Sequence, residues 1–145
     1  MKKLFIAALA TLAFYGCGSG SYDIPGAEII EAYKPQTDIG YRFLRENSQT
    51  EKVQANRSYA FEITNFDKDN PLCWKDLVGL AEKVAEPLHN EGMTMVYFFA
   101  PSDSLMLFND EGWNISWDES QDSLWIGNYN RYGWNGNTQL VKNWK

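Results

Sequence analysis

Met93–Ala100 reads MTMVYFFA, eight residues almost without a polar break, bounded by Gly92 and Pro101. A short apolar run between breakers, rich in Val, Tyr and Phe, is how a strand reads when both of its faces are buried. Just before it lies an amphipathic helix pattern. Asn70 is suited to the N-cap and Pro71 to the first helical position. Trp74, Leu77, Val78, Ala81, Val84, Ala85 and Leu88 then step by threes and fours into one apolar stripe. Lys75, Asp76, Glu82, Lys83 and Glu86 are read as lying mostly off that stripe. Pro87 ends the helix at Glu86 or kinks its last turn, and Asn90 and Gly92 supply the stop. A helix feeding a doubly buried strand requires a parallel partner upstream. Ser58–Phe66 offers one, with Tyr59, Phe61 and Ile63 alternating against Ala60, Glu62 and Thr64. The core reads as a strand–helix–strand unit.

Outward from this unit the pattern is less regular. Ala27–Tyr33 fits a short helix or an edge strand, stopped by Pro35. Gln36–Arg57 is polar and aperiodic and reads mostly as loop. Ser104–Phe108 is a candidate strand or packed turn, and Asn109–Gly112 another turn. Trp113, Ile115 and Trp117 alternate, Asp118–Asp122 is an acidic loop, and Ser123–Tyr129 reads as a strand. Asn135-Gly136 is a strong hairpin signal, with Thr138–Trp144 as its return strand. The fold class is α+β: a small mixed sheet of four to five strands with one main helix on one face, the later strands extending the sheet antiparallel. The chain of 145 residues holds one domain, expected over residues 27–145.

The first residues carry an address. Met1-Lys2-Lys3 is a positive start, and Leu4–Gly16 is an apolar run of thirteen residues. A membrane span takes about 20; a secretory signal takes fewer. The run closes Phe14-Tyr15-Gly16-Cys17. A small residue directly before a cysteine at the end of such a run resembles the lipobox of bacterial lipoproteins, although Phe14 stands where that family prefers Leu. The resemblance implies a signal peptide over residues 1–16, lipid on the sulfur of Cys17, and a bacterial cell-envelope location. Gly18, not an acid, follows the cysteine, which by the same resemblance favours the outer membrane over the inner. Gly18–Gly26, GSGSYDIPG, reads as a flexible tether. The implied partner is the membrane, reached through the anchor. With Cys17 acylated, Cys73 has no second cysteine to pair with and is read as a small buried hydrophobe.

The order of an extended N-terminal segment, a strand, a Pro-started helix, a strand ending in Phe98-Phe99 and a late strand with Tyr129-Asn130 resembles small secreted βαββ domains of bacterial envelope proteins. That resemblance implies a fold and transfers no catalytic residues.

Composition excludes some functions. Net charge is −6, and without Lys2 and Lys3 it is −8, eleven basic residues against nineteen acidic. Such a chain lacks the basic footprint of nucleic-acid binding. His89 is the one histidine, at a helix end, and no G-x-S-x-G turn accompanies it. No metal site or cofactor is expected: one His and one free Cys do not build a zinc site, and Asp67–Asn70 and Asp118–Asp122 lack the Gly and Glu of a calcium loop. No catalytic residue is assigned.

Five of the six tryptophans, Trp113, Trp117, Trp125, Trp134 and Trp144, fall in the last third, interleaved with Asn114, Asn128, Asn130, Asn135, Asn137 and Gln139. Aromatic faces with amides suit a glycan or a peptide. The competing reading is that these rings fill the core of a β-rich domain. If they bind a ligand, Trp134, Tyr132, Trp125, Tyr129 and Asn135 are the candidates, Trp134 first because it lies on a turn. Three functions follow in order: a lipid-anchored envelope protein with a non-catalytic interaction or accessory domain; a glycan- or peptide-binding module; a small hydrolase. Rings exposed together on one surface favour the second, burial favours the first, and a concave carboxylate cluster favours the third.

Overall fold

A computed structural model describes residues 27–49, 56–85, 92–110, 114–133 and 135–143. Two helices and seven strands occupy them in the order α1 (Ala27–Ala32), β1 (Gly40–Gln49), β2 (Asn56–Thr64), α2 (Pro71–Ala85), β3 (Met93–Phe99), β4 (Leu107–Asp110), β5 (Asn114–Trp117), β6 (Trp125–Tyr132) and β7 (Thr138–Lys142). A 3-10 turn over Glu119–Leu124 leads into β6; Asp118 caps it, accepting from the backbone N–H of Ser120.

The architecture is α+β. Five strands form one mixed sheet in the order β1-β2-β3-β6-β7, and β4 and β5 form a separate two-stranded sheet. Strands β2 and β3 run parallel, joined through α2, while the other neighbours are antiparallel. β3 is the middle strand, and Val96, Tyr97, Phe98 and Phe99 are all at or below 4% exposure. The continuous apolar run thus reflects burial on both sides.

The first face of the sheet lies under α2. Tyr59, Phe61, Ile63, Val96, Phe98 and Tyr129 from the strands meet Trp74, Leu77, Leu80, Ala81 and Val84 from the helix. Asn70 caps this helix, its side-chain oxygen accepting from Leu72 N–H at 3.0 Å. Trp74 stands edge-on to Phe66 at 4.9 Å, donates to the Lys68 carbonyl at 2.8 Å, and carries the Lys142 ammonium 4.5 Å above its ring. Cys73 is buried beside Thr37.

Four expectations are corrected. Gln36–Arg57 is not mostly loop: Gly40–Gln49 forms β1, which pairs with β2 on both sides of a bulge, and Asn56 and Arg57 open β2, twelve of its twenty-two residues in all. Its pattern is broken by a bulge between Phe43 and Arg45, which spoils the period-two alternation. Asp76 does not lie off the helix stripe. It is fully buried on it, because a carboxylate with enough donors is tolerated inside. The hairpin β4–β5 does not extend the main sheet; it lies across the second face, where β5 contacts β1 and β2. Its first strand begins at Leu107, later than Ser104–Phe108 would place it.

Other expectations hold. Ala27–Ala32 takes the helical alternative. The Asn135-Gly136 turn joins β6 to β7, with Gly136 at φ 68°, the left-handed region that glycine enters without strain. The end of α2 past Ala85, with Pro87 and His89, lies outside the described residues.

Candidate functional site

The aromatic candidates divide between the two faces. β6 pairs Val96 with Tyr129 and Phe99 with Trp125, across a bulge between Phe98 and Phe99. Tyr129 therefore falls on the helix face, 2% exposed within the main core. Burial raises its phenol pKa above the ordinary value. A ring so placed fills the core and offers no surface to a ligand. Trp125 falls on the second face, where Trp117 lies 5.8 Å away, tilted by 33°. Trp117 also meets Tyr97 and Phe99 nearly edge-on, at 5.5 and 5.2 Å. These rings cover one another and seat the hairpin.

Asn135 is exposed in its turn, its side-chain oxygen accepting from Asn137 N–H at 2.9 Å. By strand alternation Asn128, Asn130 and Tyr132 share the second face with Trp125. Asn128 and Asn130 are 6% and 8% exposed, and the amide of Asn128 donates to Asn130 at 2.7 Å. Trp134 and Cys17 lie outside the described residues. The structure thus brings Trp125, Asn128, Asn130 and Tyr132 to one face and separates Tyr129 from them.

A second feature on this face has no counterpart in the aromatic pattern. Beside the hairpin is a cleft of about 350 Å³. Three leucines, Leu44, Leu105 and Leu107, line it together with Arg42, Arg45, Glu62, Ser102 and Asp103. The bulge builds it. Arg42 opposes Glu62, then Phe43 opposes Phe61 toward the helix, then the register shifts and Arg45 opposes Ala60. Without the extra residue, Arg45 would point under the helix. With it, Arg42, Leu44 and Arg45 all line the same cavity.

The charges are unequally matched. Arg42 donates to both oxygens of Glu62, at 3.3 and 2.8 Å. This bond, against a smaller cost of burial, lowers the Glu62 pKa and keeps its carboxyl ionised. Bonding to Glu62 raises the Arg42 pKa, and the nearby charge of Asp103 adds to that. Arg45 is half-buried and donates from Nη1 to the Leu107 carbonyl at 2.5 Å. Among the described residues no carboxylate forms an ion pair with it. Two residues further along β1, Asn47 donates to the Asn114 carbonyl at 2.9 Å. Arg45 and Asn47 thereby tie β1 to both strands of the hairpin.

Sequence reasoning missed the cleft because it lost the strand that carries it. Arg42 between Tyr41 and Phe43 was the available signal: one charged residue between two aromatics, the opening of an alternating strand. Among the described residues no group of three or more His, Cys, Asp or Glu side chains converges, and no helix is long and apolar enough to cross a membrane. No protein-family model, curated protein or solved structure matches the chain.

Proposed function

We propose that this is a lipid-anchored protein of the bacterial cell envelope, whose single α+β domain is a non-catalytic interaction module. The observation that carries the anchor is the apolar run Leu4–Gly16 ending directly on Cys17. Nine residues, Gly18–Gly26, separate that cysteine from α1. At full extension they reach about 30 Å, so the domain works close to the membrane surface. Gly18 favours the outer membrane. The interaction role is supported by the cleft, whose glutamate is held ionised against Arg42. A carboxylate in that state serves recognition better than proton transfer, which needs a pKa near the working pH.

The anchor is tested in the full-length chain by labelling with palmitate and separating membranes. The wild type is labelled and sediments with membranes, and Cys17→Ala loses both properties. Label that survives in Cys17→Ala refutes the assignment.

A second reading is a glycan- or peptide-binding module on the second face, where Trp125, Asn128, Asn130 and Tyr132 sit together, with the two asparagines buried. A glycan array read with wild type and Trp134→Ala tests it. Binding lost in the variant supports it, and an array without signal removes it.

A further inference from the structure

The cleft beside the hairpin has a polarity that narrows its ligand. Arg42 is matched by Glu62 and by the field of Asp103, whereas Arg45 gives one N–H to the Leu107 carbonyl and forms no ion pair among the described residues. A guanidinium has five N–H donors in a planar fork. Four remain after the bond to Leu107. The lining is balanced overall, two arginines against two acids, but Arg45 is the half-buried cation outside any ion pair among the described residues, and its planar fork has the geometry that takes a carboxylate in two parallel hydrogen bonds.

Two further features restrict the anion. Leu44, Leu105 and Leu107 line the cleft with Arg45 and offer apolar surface to a ligand. Asp103 also lines the cleft, and its charge opposes a phosphate dianion more strongly than a singly charged carboxylate. Glu62 is already held by Arg42, so the far end of the ligand needs no ammonium group. The volume, about 350 Å³, falls within the range of about 300–1,000 Å³ for small-ligand sites.

We infer that this cleft binds the free carboxyl end of a peptide with an apolar last residue, the carboxylate on Arg45 and the side chain on the three leucines. The assignment rests on the reading of the domain as an interaction module and names what that module takes.

The test uses the full chain in detergent and an N-acetylated tripeptide ending in leucine, titrated calorimetrically as the free acid and as the C-terminal amide. The free acid binds at least about tenfold more tightly than the amide, the loss expected when a charge-assisted pair is removed. Arg45→Gln erases that difference. Because Arg45 also holds the hairpin, the comparison of acid with amide on the wild type stands even if the variant fails to fold. Equal binding of acid and amide overturns the inference, as does no saturable binding of the acid up to about 10 mM. Free leucine binding where the acetylated peptide does not also overturns it. None of these outcomes moves the membrane partition of Cys17→Ala, so failure of the cleft and failure of the anchor are read separately.

Discussion

The two faces of the central sheet are closed by different means. Under α2 the closure is apolar and continuous, with Tyr59, Phe61, Leu77, Leu80 and Phe98 fully buried. On the other face a hairpin of two four-residue strands and a group of mutually packed rings do the covering, and polar side chains stay within the layer. Tyr97 illustrates the second style. Its hydroxyl donates to Asn114 at 2.7 Å, and burial pushes its pKa up to about 12. A short hairpin cannot cover five strands, so this face keeps a cleft and a set of amides. The helix face holds the larger apolar core, and the hairpin face carries the cleft and the buried amides.

The helix face buries one carboxylate among its described residues, Asp76, and altering it tests the contrast most sharply. Asp76 accepts from Gln36 N–H at 2.8 Å, Thr37 N–H at 2.9 Å and the Thr37 hydroxyl at 2.5 Å, while Tyr33 donates to its backbone carbonyl at 3.0 Å. The carboxylate pins the segment between α1 and β1 to the helix. Asp76→Ala leaves three donors facing an apolar wall and costs about 3 kcal/mol in urea unfolding. Burial alone raises the pKa of this carboxyl, but the bonds from Thr37 and Gln36 outweigh it and hold the value below the ordinary range. The sign follows from linkage. A depressed folded pKa adds stability that is fully present above the unfolded value of about 4 and is lost as pH falls through the folded one. Unfolding midpoints measured from neutral pH downward therefore fall more steeply in the wild type than in Asp76→Asn. Parallel profiles would show that Asp76 contributes nothing through its charge.

A smaller effect is expected on the other face. Trp117 is half-buried among Tyr97, Phe99 and Trp125, and its Nε1 donates to Asp122 at 3.1 Å. Trp117→Ala costs about 2 kcal/mol, less than a fully buried tryptophan. Its signature is local: amide hydrogen exchange accelerates in β4 and β5, while α2 keeps its protection. If α2 loses protection equally, the two faces form one cooperative unit and the contrast drawn between them fails.

The pair Arg42–Glu62, exposed at its arginine end, belongs to neither effect. Arg42 is exposed to solvent, and surface pairs of this kind contribute little to stability. Its role is to set the polarity of the cleft wall.

Much of this was legible in the sequence, for stated reasons. The β2–α2–β3 unit was readable because each element keeps one period throughout: two in Ser58–Phe66, three and four after Pro71, none in Met93–Ala100. The last hairpin was readable because Asn135-Gly136 satisfies a local backbone demand. Asp76 was misplaced although its position was informative. It stands three residues after Cys73 and four before Leu80, within the stripe, and a lone acid there signals a carboxylate with partners brought from elsewhere.

What the sequence determined by itself was each element whose residues answer to a local rule: the capped helix, the buried strand and the glycine turn. What only the tertiary structure decided was β1, the side of the sheet taken by each aromatic, and the cleft. These depend on register across strands. One extra residue at Leu44 reverses which face every later side chain of that strand occupies, because strand geometry alternates with a period of two and carries no memory of the break. That reversal places Arg45 beside Leu107, sixty-two residues away. A pairing at that distance is fixed by packing, and no local pattern encodes it.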